Sequence, residues 1–280
     1  MWLLNAMIIA IAMYSKIPMP RVDWNEKNMR YAMCFFPLVG VIIGVLEIVA
    51  GNLITVWKGE GTFFYAVVLT LIPVFITGGI HLDGFADTMD AKSSYGDREK
   101  KLEILKDPHT GAFAIISLCC YFLLCVGIFS EMRTERLFAA TLVFVFSRSL
   151  SGISVVTFPA AKNSGLLRTF QDGAQKSNVR IVLIIWLLAA GVGLCLTAGL
   201  CGVAAAVVGL AVFFYYYRFS RKQFGGITGD LAGYFLRDLV LRINQLCCLN
   251  TSLHWADNHL LYLWIALYFI FLFKVQYFLF

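Results

Sequence analysis

The chain alternates long apolar runs with shorter polar connections. A bilayer core of about 30 Å takes about 20 residues of α-helix to cross. Five apolar runs meet or approach this length, namely 32–56, 62–80, 112–130, 137–158 and 258–273 with its continuation. A further run, 181–217, is too long for one span, so we expect it to divide near 200–202 into two short helices joined by a tight hairpin. The pattern therefore predicts seven transmembrane helices.

Residues 1–14 form a shorter apolar segment, MWLLNAMIIAIAMY. This length is too small for a full span and favours a re-entrant or interfacial helix. The polar connections are too short to form a soluble domain of their own. We therefore predict one integral membrane domain over residues 1–280, an all-α polytopic helical bundle with interfacial helices on its cytoplasmic side.

The composition supports a membrane protein. Hydrophobic residues make up 60% of the chain and charged residues only 14%, whereas charged residues make up about a quarter of a soluble domain. The net charge of +6 does not indicate nucleic-acid binding, because 18 of the 23 Lys and Arg residues fall in four connections on one face: 15–31, 81–111, 159–180 and 218–257. The positive-inside rule places that face in the cytoplasm. We expect a multi-pass protein of the cell membrane, with the lipid bilayer as its partner and its active-site loops in the cytoplasm.

Acidic residues follow the second predicted span. Asp83, Asp87 and Asp90 are spaced i, i+4 and i+7, which places them on one face of a helix. Carboxylates this close repel each other unless a cation lies among them. Mg²⁺ prefers oxygen ligands and usually carries substrate phosphates as its remaining ligands. We therefore predict an Mg²⁺ site here, with Gly84 leaving room for a diphosphate.

Neighbouring residues add candidates whose role the pattern leaves open. His81 could ligate the metal, act as a general base on a hydroxyl, or make a structural hydrogen bond. Asp107, which precedes Pro108, is either the N-cap of the third span or a further metal ligand. Lys106 and His109, on either side of this pair, are candidate substrate ligands.

Two further positions are candidates for anion binding. Arg148 lies in the middle of a predicted span, where a charged side chain costs about 2.5–3.5 kcal/mol on insertion scales. It either binds a substrate anion or pairs with Glu47, the one acidic residue inside a predicted span. The glycine-rich loop 224–233 is predicted to direct backbone N–H groups towards an anion. The candidates in this loop are Gly226 and Thr228 for substrate binding and Asp230 for catalysis.

Short motifs, in order along the chain, resemble those of the cobalamin synthase family. They are 16–20 (KIPMP), 36–40 (FPLVG), 78–90 (GGIHLDGFADTMD), 102–107 (LEILKD) with Gly111, and 225–230 (GGITGD). The resemblance implies an enzyme that uses Mg²⁺ to join adenosylcobinamide-GDP and α-ribazole, giving adenosylcobalamin and GMP. The predicted catalytic residues are His81, Asp83, Asp87 and Asp230, and the predicted metal ligands are Asp83, Asp87, Asp90 and Asp107.

Three other classes of protein stay open at this point. A membrane prenyltransferase binds Mg²⁺-diphosphate through a DxxxD motif, which Asp83 and Asp87 match, but it needs a second such motif, and Tyr234 interrupts the later one here. A CDP-alcohol phosphotransferase performs similar chemistry, but its Asp-Gly-x-x-Ala-Arg core is absent. An ion transporter would place charges near the midplane, as Glu47 and Arg148 are placed, usually within paired repeats that this chain lacks. A homo-oligomer is compatible with each of these classes.

Overall fold

The computed structural model describes residues 2–162 and 165–249, and their regular structure is helical. In this part of the chain the extended backbone forms one isolated parallel bridge, between Ala160 and Ile227. The α-helices are α1 (Trp2–Tyr14), α2 (Glu26–Met29), α3 (Phe36–Lys58), α4 (Phe63–Thr77), α5 (Ile80–Ser93), α6 (Arg98–Ile104), α7 (Ala112–Glu131), α8 (Leu137–Thr157), α9 (Leu166–Gly173), α10 (Lys176–Phe224) and α11 (Gly229–Leu249). Two 3₁₀ helices, Ala32–Phe35 and Thr134–Arg136, precede α3 and α8. The all-α prediction is confirmed.

Several helices are long and apolar enough to cross a membrane. Among the described residues there are four such segments, which contain α3, α7, α8 and α10, and a fifth if α4 and α5 are counted together. The starts and ends of α3, α4, α7 and α8 agree with the predicted runs to within a few residues. The N-terminal helix α1 has only 13 residues, as its short apolar segment predicts. The predicted span 258–273 lies outside the described residues, so the total of seven stays a prediction.

The helix α10 folds back on itself at Gly199. The backbone there has φ 56° and ψ −131°, a conformation that glycine adopts without strain. A side chain at Gly202 would lie 2.0 Å from a backbone oxygen eight residues earlier, so the two limbs meet directly after the turn. Phe146 of α8 lies against Gly191 of the first limb and Gly209 of the second. The predicted hairpin is therefore confirmed, with its break just before the predicted position.

The helix α8 is the centre of the bundle. It packs against α3, α10 and α11, and most of its side chains are buried. Glycines on α3 allow a close approach: a Cβ at Gly40 would lie 2.6 Å from the carbonyl oxygen of Phe144, and one at Gly44 would lie 2.3 Å from the side chain of Thr141. Small residues four apart are a common means of close helix packing in membranes. The core of the bundle is therefore built around α8.

A sharp bend separates α4 from α5. Gly78 and Gly79 have φ values of 61° and 78°, in the left-handed region that favours glycine. Their N–H groups bond to the carbonyl oxygens of Phe75 and Val74 and so close the end of α4. The axes of the two helices differ by 95°. The predicted acidic helix is confirmed as α5, and the bend turns it away from the axis of α4.

The helix α11 corrects the predicted loop over 218–257. Residues 218–224 complete α10, and α11 packs against α5, α7, α8 and α10. At one end Asp230 lies beside Gly84 of α5, and at the other end the Cys248 thiol bonds to the carbonyl oxygen of Ile128 at 3.4 Å. The helix therefore reaches from α5 at one end to Ile128 of α7 at the other. Its charged residues interrupt the apolar positions, so no apolar run marks it in the sequence.

Candidate active site

Close contact between α5 and α11 brings three carboxylates into one region. A Cβ at Gly84 would lie 2.7 Å from the Cα atom of Asp230, and one at Gly233 would lie 3.0 Å from the backbone of α5. The two backbones therefore touch, which sets Asp83 and Asp87 beside Asp230. We call these three residues the acidic cluster. The space expected at Gly84 for a diphosphate is filled by α11, so that expectation is wrong and Gly84 serves helix packing.

The acidic cluster carries negative charge that few cations offset. Asp83 is exposed, and Asp87 and Asp230 are half-buried. Burial, and then the negative charges of Asp83, Asp230 and Asp90, raises the pKa of Asp87 to about 6. A raised carboxylate pKa means that the site resists one more negative charge. A cation bound at the acidic cluster would relieve this repulsion.

The glycine-rich loop packs against residues 159–161, and several of its N–H groups are bonded within the protein. Three of these N–H groups bond to carbonyl oxygens at 3.1, 3.1 and 2.9 Å: Gly225 to Arg221, Gly226 to Ser220 and Ile227 to Pro159. A side chain at Gly226 would lie 2.5 Å from the carbonyl oxygen of Pro159. These three N–H groups are therefore not available to an anion, and Gly226 has a packing role, whereas anion binding by the other N–H groups of the loop stays a prediction.

The same loop presents Asp230 at the start of α11. The hydroxyl of Thr228 accepts a hydrogen bond from the N–H of Leu231 at 3.2 Å, as an N-cap does. It also donates to the Asp230 carboxylate at 3.4 Å. Thr228 and Asp230 both line the cavity described next. The loop thus orients the third carboxylate through its side chains.

A cavity of about 350 Å³ lies beside the acidic cluster. Its polar side includes His81, Asp83, Ser151, Lys162, Arg168, Thr228 and Asp230. Its apolar side includes Met13, Tyr14, Met33, Phe36, Val155, Leu167 and Phe170. Ligand pockets usually measure about 300–1,000 Å³. The cavity therefore has room for one small molecule, or for part of a larger one.

His81 lies where the polar and apolar sides of the cavity meet. Its ring centre is 6.0 Å from those of Tyr14 and Phe36, which are 4.2 Å from each other. Burial, and then the charges of Arg148 and Arg237, lowers the pKa of His81 well below its usual value. Its Nε2 atom has no hydrogen-bond partner among the described residues. His81 is therefore a neutral imidazole with one buried ring nitrogen that has no protein partner.

Asp90 is engaged at the start of α7 and does not line the cavity. Its two carboxylate oxygens accept the N–H groups of Gly111 at 2.6 Å and Ala114 at 2.8 Å. The first N–H groups of a helix lack partners within the helix. Asp90 supplies those partners. The predicted N-cap at Asp107 is wrong, because α7 begins at Ala112 and Asp90 bonds to its first turn.

Lys106, Asp107 and His109 lie on an exposed connection between α6 and α7. Asp107 accepts the N–H of His109 at 2.9 Å and lies 2.7 Å from its ring Nδ1. These hydrogen bonds lower the pKa of Asp107. The charge of Lys106 acts on Lys162 at the cavity wall. The structure does not bring Asp107 or His109 to the acidic cluster.

Arg148 lies inside the bundle and is not part of the cavity wall. It is 1% exposed and donates a hydrogen bond to the carbonyl oxygen of Phe144 at 3.2 Å. Glu47 is fully buried and within Coulombic reach of Arg148, although no ion pair joins the two in the described chain. This placement favours the structural alternative for Arg148 over contact with a substrate.

The donor atoms of the acidic cluster fit Mg²⁺. In the part of the chain that the structure describes, no three His, Cys, Asp or Glu side chains converge as a ready-made metal site. Mg²⁺ is usually held by one or two carboxylates and completed by water and substrate phosphates. Asp83 and Asp87 lie one helical turn apart on α5, where negative charge accumulates. The residues present therefore fit an Mg²⁺ ion shared with a phosphate, whereas the predicted set that includes Asp90 and Asp107 is not assembled.

Lys162 is a cavity residue that the sequence pattern did not single out. It follows the segment 159–161, which pairs with the glycine-rich loop, and it is half-buried on the cavity wall. In the sequence, Lys162 is one of several basic residues in the connection 159–180, and no motif distinguishes it from the others. Only the pairing of Ala160 with Ile227, distant in sequence, places it near Asp230.

The fold and the site together define an integral membrane enzyme with a carboxylate-lined cavity at one end of a helical bundle. The family model of cobalamin-5-phosphate synthase matches residues 6–241. The chain belongs to this family. The match confirms the resemblance seen in the short motifs and favours it over the prenyltransferase, CDP-alcohol phosphotransferase and transporter alternatives.

Related proteins agree with the family match. A protein of Lachnoclostridium phytofermentans is 47% identical over 236 residues, which cover 83% of this chain and 89% of the relative. Proteins of Geobacillus sp. strain WCH70 and Clostridium perfringens strain SM101 are 30% and 33% identical, over 83% of this chain and 90% and 92% of the relatives. All three relatives are named adenosylcobinamide-GDP ribazoletransferase. No solved structure matches the chain.

Proposed function

We propose that the protein is an Mg²⁺-dependent transferase of the cell membrane that joins adenosylcobinamide-GDP and α-ribazole to give adenosylcobalamin and GMP. The observation that carries this proposal is that two carboxylates of the acidic cluster, Asp83 and Asp230, line a cavity that also holds a lysine. Family membership and the names of the relatives support the reaction. The apolar helices and the distribution of Lys and Arg support a membrane location with this cavity at the cytoplasmic face.

The proposed reaction is a phosphoryl transfer. A ribose hydroxyl of α-ribazole attacks the phosphorus next to the corrinoid, forming one P–O bond and losing its proton. The P–O bond to the guanylate breaks, and GMP leaves with the bridging oxygen. Catalysis of such transfers depends mainly on positioning and on neutralising charge. Held by Asp83 and Asp87, Mg²⁺ would offset the negative charge of the diphosphate.

The residues of the cavity have distinct parts in this proposal. The apolar side, with Tyr14 and Phe36, offers a dry surface for the aromatic base of the nucleoside. His81 borders this surface, and its neutral ring is the proposed acceptor of the hydroxyl proton. Asp230, oriented by Thr228, lies on the polar side of the same cavity. The nucleoside hydroxyl would thus be held between a proton acceptor and the acidic cluster.

The test is an assay with purified protein in lipid nanodiscs. Adenosylcobinamide-GDP and α-ribazole are supplied together or singly, and GMP and adenosylcobalamin are measured by mass spectrometry. We expect equal amounts of both products with Mg²⁺, loss of both with EDTA, and recovery when Mg²⁺ is restored. Folded protein that releases no GMP when both substrates and Mg²⁺ are present would contradict the proposal.

A further inference from the structure

Two cations line the cavity, and they differ in their partners. Arg168 donates a hydrogen bond to Asp172 at 2.9 Å and forms an ion pair with it. Lys162 is half-buried on the same wall, yet no ion pair involves it within the described residues. The charge of Asp230 acts on Lys162, but in the described chain no carboxylate forms an ion pair with it. The Lys162 ammonium therefore has hydrogen-bond donors available for a ligand, whereas Arg168 has a structural partner.

Backbone pairing fixes the position of Lys162. The N–H of Ala161 bonds to the carbonyl oxygen of Ile227, and the N–H of Ile227 bonds to that of Pro159, both at 2.9 Å. Lys162 follows this pair directly, and Asp230 lies three residues beyond Ile227. The charges of Lys106 and Asp230 both act on Lys162. The lysine is therefore held near the acidic cluster by main-chain contacts that do not depend on its own side chain.

We propose that Lys162 binds a phosphate group of the substrate in this cavity, which rests on the function proposed above. The acidic cluster by itself repels a phosphate, so an anionic substrate needs positive charge on the same wall. A lysine ammonium is a compact charge that suits phosphate oxygens. The protein thus supplies positive charge of its own beside whatever cation the acidic cluster holds.

The phosphate can arrive on either reactant. The donor carries a diphosphate in its GDP part. The description of the family, cobalamin-5-phosphate synthase, names a phosphorylated product, so the acceptor can carry a phosphate as well. Kinetic constants for each reactant separate the two sources.

The experiment compares Lys162→Gln and Lys162→Arg with a matched control, Lys222→Gln. Lys222 is an exposed lysine in the last turn of α10 that does not line the cavity. The measurements are the KM for each reactant, with the acceptor supplied with and without a 5-phosphate, and the Kd for Mg²⁺-GDP. Loss of one charge-assisted hydrogen bond should raise the constants of the phosphate-bearing reactant by about tenfold or more in Lys162→Gln. Lys162→Arg should stay within about threefold of wild type, and Lys222→Gln should be unchanged.

A rise in the donor KM and in the Kd for Mg²⁺-GDP assigns the donor diphosphate. A rise confined to the phosphorylated acceptor assigns the acceptor phosphate. If every KM and Kd of Lys162→Gln stays within about twofold of wild type, the proposal is overturned while the enzyme function stands. A lower melting temperature and lower kcat with unchanged KM would show a structural role and also overturn it. Wild-type protein without GMP release would instead overturn the proposed function itself.

Discussion

Two groups of charged residues in this molecule have contrasting surroundings. Within the bundle, Glu47, Arg148 and Arg237, which we call the buried charged group, are at most 3% exposed and mix opposite signs. At one end of the bundle, the acidic cluster borders a cavity and repeats a single sign. Ionisable residues in membrane segments are functional candidates by default. In the function proposed above, accessibility and imbalance of charge, more than the presence of charge, therefore mark the reactive region.

The contacts of the buried charged group connect helices to one another. Arg237 of α11 donates to Tyr121 of α7 and Thr77 of α4, both at 3.4 Å. Arg148 bonds within α8 and lies 5.9 Å from the ring centre of Phe36 at the start of α3. These contacts are internal: Phe36 borders the cavity, but neither arginine lines it. We therefore expect substitutions here to change stability, and substitutions in the acidic cluster to change turnover.

The largest effect is expected for Asp83→Asn and Asp87→Asn. Each should lower turnover by at least about 100-fold, because removing one electrostatic partner of a transition state costs about 2.7–4 kcal/mol. The melting temperature should change little, since both side chains are partly exposed. GMP release and thermal unfolding check this, with the exposed Asp23→Asn as control. Near-wild-type turnover in both variants would remove the acidic cluster from the reaction.

Arg148→Met tests whether the buried charged group contributes to stability. It removes the positive charge that acts on the buried Glu47 and the hydrogen bond to the carbonyl oxygen of Phe144, which should lower the free energy of unfolding by about 1–3 kcal/mol. The double variant Glu47→Gln with Arg148→Met should recover part of this loss. Unfolding measurements in nanodiscs give both values. A raised substrate KM with unchanged stability would instead place Arg148 in substrate binding.

The membrane helices could be predicted where apolar residues face lipid. Hydropathy predicted α3, α4, α7 and α8, and excess length predicted the hairpin in α10. It missed α11, because Arg237, Asp238 and Arg242 interrupt its apolar residues. In the folded protein Arg242 pairs with Asp238 at 2.7 Å, and Arg237 bonds to neighbouring helices. A rule based on transfer to lipid does not apply to a helix whose charges have partners in the protein.

The candidate site could be predicted only where local spacing determines it. Helical spacing predicted the shared helix of Asp83 and Asp87, and the short motifs predicted the family. The capping of α7 by Asp90 and the place of Lys162 depend on contacts between segments distant in sequence. Gly84 shows the limit of prediction from local sequence, because a glycine at this position can leave room for a ligand or for a neighbouring helix. Local sequence does not distinguish the two.

Gly84→Ala tests the contact that assembles the acidic cluster. Its Cβ would lie 2.7 Å from the backbone of Asp230, so α5 and α11 would have to separate. We expect turnover to fall by about tenfold or more, because small displacements of catalytic groups are costly. The matched control is Gly127→Ala on α7, where a Cβ meets no neighbour within 4 Å. Equal turnover in the two variants would show that this contact does not position the site.

The smallest expected effect is a change of melting temperature with pH in the absence of metal. The pKa of Asp87 in the folded protein is raised to about 6, above that of an unfolded aspartate, so its ionisation opposes folding. In EDTA, stability should therefore fall as the pH rises from about 4 through about 6. Because Asp87 is half-exposed and screened, we expect a melting-temperature shift of about 1–2 °C. Asp87→Asn should lack this component, and an identical pH profile in the variant would contradict the assignment.

The most direct measurement is a cryo-EM map of the protein in nanodiscs with Mg²⁺ and GDP. The account predicts cation density bridging the Asp83 and Asp87 carboxylates and a phosphate of the nucleotide. Nucleotide and cation density elsewhere in the bundle, with both carboxylates free in solvent, would contradict it.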